Sequence, residues 1–183
     1  MFSSSADGTV RVWALEDGHC LRVLTPQHQH LSSVGGGNTN TSGISVSGSA
    51  GSTHRRHLYS CDSSEFEVFA VGSDGLISAW KIGTWSAVPA LQLGNGQMAI
   101  AAGPDGKRVA IAGDDAMLRV YDVVAPGGSR AEGYFKLEAC GPGHASTILD
   151  VVVVPLGVGR GSSAITVSRD GTIKKWTPGD ESN

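Results

Sequence analysis

The sequence predicts an all-β fold in which one small sheet recurs along the chain, and three observations carry that expectation. First, "SADGTVRVW", "GSDGLISAW", "GDDAMLRVY" and "SRDGTIKKW" align without a gap. Each places an aspartate third (Asp7, Asp74, Asp115, Asp170) and an aromatic last (Trp13, Trp80, Tyr121, Trp176). Second, Asp-Gly between β-rich runs is a hairpin signal, because glycine accepts φ > 0 and aspartate bonds nearby backbone. Third, the step from Asp74 to Asp115 falls near the ~40–45-residue period of a four-stranded propeller blade. The other two steps are longer and imply insertions.

Each strand then has a reason. "MFSSS" and "TVRVWAL" flank the first turn, and "HCLRVLT" follows. The second unit reads "HLYSCD", "EVFAVGS", "LISAWKI" and "TWSAVPALQL". The third reads "MAIAAG", "RVAIAG", "MLRVYDV" and "GYFKLEAC", and the fourth "ILDVVVV", "SAITVS" and "TIKKWTP". Alternation puts Val10 with Val12 and Leu118 with Val120 on one face. The closing aromatic is large enough to fill space between sheets. Hairpin after hairpin on one period makes an up-and-down sheet repeated radially, here about 14 strands or 3.5 blades.

Composition narrows the class. Of 183 residues, 40% are hydrophobic, 17% charged and 26 are glycine, which is globular and turn-rich. A net charge of −3 gives no global pull towards nucleic acid or anionic lipid. Cys20, Cys61 and Cys140 lie far apart, which argues against a disulfide framework or zinc site and for an intracellular, cytoplasmic or nuclear setting. No signal peptide is seen, and "ILDVVVVPLGV" is too short and too interrupted to span a membrane. Residues 32–53 are uncharged and rich in Gly, Ser, Thr and Asn, the composition of a flexible linker within a single domain over 1–183. "GGG" there lacks a following Lys-Ser/Thr, so it is not read as a phosphate loop. His28, His30, His54 and His57 flank it without being preorganised for a metal. No cofactor is expected.

"GHASTILDVVVV…SSAITVSRDGTIKKW" (143–176) resembles the WD40-repeat family, and the other three copies are more degenerate. The resemblance implies a buried hydrogen-bond relay of His144, Thr166, Asp170 and Trp176 in the last copy. In the first copy only Ser3, Asp7 and Trp13 match. Ala70 and Ile111 stand at the hydroxyl position in the other two. The residue before each turn aspartate, here Ala6, Ser73, Asp114 and Arg169, faces partners in that family. Arg169 leads these candidates, since arginine is enriched at interface hot spots. All four also fit ordinary solvated turns.

The resemblance implies a non-enzymatic scaffold that binds proteins or peptides. A propeller-type hydrolase is the enzyme alternative, and a turn that recurs in every unit reads as architecture. The first unit lacks an innermost strand and the last an outermost one. Three readings follow: a fragment of a larger WD40 protein, a small closed ring, or a partial ring completed by another chain.

Overall fold

The structure, a computed structural model, describes residues 1–26, 56–94, 96–103, 105–124, 134–156 and 161–177. The 32–53 insertion, residues 125–133 ("APGGSRAEG", which the sequence suggests as a surface loop), His28, His30 and His54 lie outside these residues. The described chain is all-β and forms four small antiparallel sheets whose strands follow chain order. The first contains β1 (Phe2–Ser4), β2 (Val10–Trp13) and β3 (Cys20–Leu24). The second contains β4 (Leu58–Ser63), β5 (Glu67–Gly72), β6 (Leu76–Lys81) and β7 (Leu91–Gln92). The third contains β8 (Gln97–Ala102), β9 (Arg108–Gly113), β10 (Met117–Val123) and β11 (Phe135–Pro142). The fourth contains β12 (Ile148–Pro155), β13 (Ser162–Ser168) and β14 (Ile173–Trp176). Among the described residues there is no helix, and no sheet closes into a barrel.

The four sheets are built to one plan. Each Asp turn is closed by an amide donating to the carbonyl three residues earlier: Gly8 to Ser5, Gly75 to Gly72, Ala116 to Gly113 and Gly171 to Ser168. The donating residue has positive φ in all four, 83°, 67°, 60° and 81°. Glycine takes that conformation freely, and alanine does not. A second repeat was not expected from the sequence. The register shifts once between Leu58 and Ser60, between Gln97 and Ala99 and between Ile148 and Asp150, so β4, β8 and β12 are bulged at the same place.

Alternate residues build the contacts between sheets. Val10, Val12 and Leu24 meet Val68, Ala70 and Trp80. Phe69, Val71, Ile77 and Ala79 meet Val109, Ile111, Tyr121 and Phe135. Ala110, Ala112 and Leu118 meet Val151, Ala164 and Trp176. Thus each following sheet lays its aromatic-bearing face on the opposite face of the sheet before it. Full burial of a side chain such as Phe69 or Ile77 contributes about 1.5–3 kcal/mol. Polar groups tie the same contacts. Ile100 N–H donates to Ser60 Oγ at 3.3 Å, and Ala102 N–H to Asp62 Oδ2 at 2.9 Å.

One strand differs from expectation. "TWSAVPALQL" forms only the two-residue β7 and an isolated Trp80–Ala87 bridge. Trp85 has φ 58°, a left-handed conformation that interrupts an extended run, and Pro89 cannot donate to a ladder. The Trp85 ring instead packs towards the first sheet, with the Arg22 guanidinium 5.6 Å from its centroid.

Candidate functional site

The four aspartate turns are the sites that the sequence singles out, and their chemistry starts from one shared bond. In each, a carboxylate oxygen accepts the amide two residues on: Thr9 at 2.9 Å, Leu76 at 3.1 Å, Met117 at 3.1 Å and Thr172 at 2.9 Å. This Asx geometry fixes the turn. The other oxygen meets a nitrogenous side chain, and that partner changes from sheet to sheet.

In the fourth sheet the structure brings His144, Thr166, Asp170 and Trp176 together. Trp176 Nε1–H donates to Thr166 Oγ1 at 2.9 Å. His144 Nε2 lies 2.8 Å from the same hydroxyl, and Nδ1 lies 3.0 Å from Asp170 Oδ2. One proton arrangement satisfies the whole chain: indole to threonine, threonine O–H to Nε2, and Nδ1–H to the carboxylate. Thr166 and the His144 side chain are both fully buried, so each bond removes a desolvation cost of about 1–3 kcal/mol. Asp170 is held well below the usual carboxylate range, first by the Thr172 hydroxyl, then by the Ala145 and Thr172 amides and His144. The hydroxyl, imidazole and carboxylate follow the order of a catalytic triad. Here, however, the hydroxyl is buried and already accepts an indole N–H, leaving no approach for a substrate carbonyl.

The first sheet holds a shorter version. Trp13 Nε1–H donates to Ser3 Oγ at 2.8 Å, while Asp7 turns to Thr9 and to Arg11, 3.3 Å away. The third sheet repeats that pairing, with Arg119 on Asp115 and Tyr121 in the core. In the second, Trp80 is core and Asp74 meets Arg56, whose place in the Arg55-Arg56 pair suggests solvated surface but whose side chain is 8% exposed. Arg56 Nε lies 2.8 Å from Asp74 Oδ2, a charge pair outside hydrogen-bond geometry. Its Nη2 donates to Ser78 Oγ and Leu76 O, both at 3.1 Å. Burial pushes the guanidinium down and Asp74 offsets this. The Asp-x3-Arg spacing of Asp7–Arg11 and Asp115–Arg119 was a readable signal for two of these partners. Arg56 had none, since it reaches Asp74 across a sheet.

The four residues before the aspartates are all exposed. They do not offer the same chemistry. Ala6 gives its carbonyl to His57 Nδ1 at 2.9 Å, and Ser73 Oγ accepts the His57 amide at 3.1 Å. Asp114 and Arg169 donate their backbone amides to Gly96 O and Thr147 O, and among the described residues no bond of their exposed charged ends is seen.

Elsewhere, a cleft of about 560 Å³ between the third and fourth sheets is lined by Ala110, Leu118, Cys140 and Trp176. The guanidinium on its wall, Arg108, is already held by Asp122 and Glu138. Among the described residues, no group of three His, Cys, Asp or Glu side chains is placed to hold a metal ion. No protein-family model matches the chain, and no curated protein matches it significantly.

Proposed function

We propose that the chain is part of a WD40-type β-propeller and serves as an intracellular, non-enzymatic scaffold for other proteins or peptides. The observation that carries this reading is the repeated turn, identical in backbone bonding in all four sheets, with an exposed residue before each aspartate. Sheet-on-sheet order, the recurring inner-strand bulge and the His144–Thr166–Trp176 relay support the same architecture. Function belongs to the site rather than the fold. Asp114 and Arg169 supply the site with one acidic and one basic contact, and a peptide carrying both charges is the matching ligand class. Free Cys20, Cys61 and Cys140 suit a reducing compartment.

The test compares Arg169→Ala with Asp170→Ala on the full chain. Arg169→Ala is expected to lose specific bound proteins in a quantitative pull-down at an unchanged melting temperature. Asp170→Ala is expected to lower the melting temperature. If both variants change folding equally, or if Arg169→Ala with Asp114→Ala loses no bound protein, the assignment of this rim fails.

A further inference from the structure

The packing between sheets follows one rule, and among the described residues the rule leaves two faces over. Register places Ile173 at the position held by Val10 in the first sheet, Ile77 in the second and Leu118 in the third. Val10 and Ile77 are fully buried and Leu118 is 5% exposed, each beneath the sheet that follows. Ile173 is 71% exposed. Around it, the same face carries Val152 and Val167, 47% and 40% exposed, together with Val154 and Ile165. At the other end, the first sheet turns Ser3, Trp13, Arg11 and Val23 away from the second. This is the aromatic-bearing type of face that the second, third and fourth sheets each lay on the sheet before.

We infer that these two faces bind each other between copies of this chain, the fourth sheet of one copy receiving the first sheet of the next. The occupant is a second copy because the contact continues an interface that the chain already makes three times. The surfaces differ, so the association is head-to-tail, closing into a ring or extending as the rotation dictates. Lys175 stands where Val12, Ala79 and Val120 stand in the other sheets. A charge at that position keeps the face soluble when uncovered, which suits a reversible contact. The inference rests on packing and not on the scaffold reading, and it stands whether or not the turn rim binds a partner.

The experiment is sedimentation of the full chain over ~1–100 µM. It uses two exposed substitutions, Ile173→Lys on the fourth sheet and Val23→Lys on the first. The wild-type chain is expected to self-associate, and each variant alone to dissociate at least tenfold more readily. An equimolar mixture of the two variants retains one intact pair of faces, and it is expected to form a complex of two copies and no larger. A wild-type monomer throughout the range overturns the proposal. So does a mixture that stays monomeric, and so does a single variant that still self-associates through its undamaged face, which would mean like faces pairing with like. Melting curves establish that the variants fold; if Ile173→Lys melts early, Val167→Lys on the same face replaces it with the same expectations.

Discussion

Ala116 is the one turn residue of its kind that is not glycine, and it holds φ 60°. A left-handed alanine costs roughly 1–2 kcal/mol, while glycine loses more entropy on folding, ~0.4–1 kcal/mol. Ala116→Gly is therefore expected to stabilise the chain by about 0.5–1 kcal/mol, read as a rise of a few degrees in melting temperature. A fall would mean that the Ala116 methyl contributes packing worth more than the strain. Arg56 argues the opposite sign. Its side chain is 8% exposed and Asp74 is 26% exposed, so removing the guanidinium leaves a carboxylate that water reaches only in part. Arg56→Ala is expected to destabilise by about 2–3 kcal/mol in chemical denaturation. The aspartates were legible in the sequence because a turn is a local event written in adjacent residues. Arg56 was not, because its partners Ser78, Leu76 and Asp74 come close only after β4 and β6 join one sheet.

The same division runs through the elements. β5, β6, β9 and β10 are legible because an apolar strand next to an Asp turn has one way to fold. β7 is not, since the apolar residues Val88 and Leu91 pack on the core from a largely irregular segment. The bulges at the starts of β4, β8 and β12 carry no distinctive residue, for Tyr59, Met98 and Leu149 share only a large apolar side chain of the kind that strands carry throughout. The ties between β4 and β8 were equally unseen. Backbone amides on β8 that do not pair with β9 find side chains on β4, and Asp62 also binds the Ser63 amide at 2.8 Å. Asp62→Ala removes the acceptor for Ala102 N–H in a partly buried setting. The expected cost is about 1–3 kcal/mol, with faster hydrogen exchange at the Ala102 amide than at Ala110. Equal exchange at both amides would place the support of β8 elsewhere.

At the scale of the whole molecule, stability is a series of contacts between neighbouring sheets, and among the described residues the first and fourth sheets have one neighbour each. Those end sheets also carry Asp7 and Asp170, both held below the ordinary value of 3.8. For Asp7 the Thr9 hydroxyl leads, as the Thr172 hydroxyl does for Asp170. A carboxylate with a depressed folded pKa adds stability that is complete above its unfolded value and lost as pH falls through the folded one. Each end sheet thus combines a single neighbour with an acid-sensitive turn, and it is there that acid is expected to act first. Between pH ~4 and 2, hydrogen exchange is expected to lose protection in β2 and β14 while β5 and β9, buried between sheets, keep theirs. Asp170→Asn, which cannot titrate, is expected to melt below the wild type at pH 7 by a margin that narrows as pH drops below ~4. Simultaneous loss in all four sheets would mean a single cooperative unit whose end contacts are as strong as its middle ones. A margin that stayed constant with pH would mean that the Asp170 charge does not contribute. Acid fraying confined to the ends would also expose more of the faces around Ile173 and Val23, so head-to-tail association would weaken over the same pH range in which β2 and β14 open.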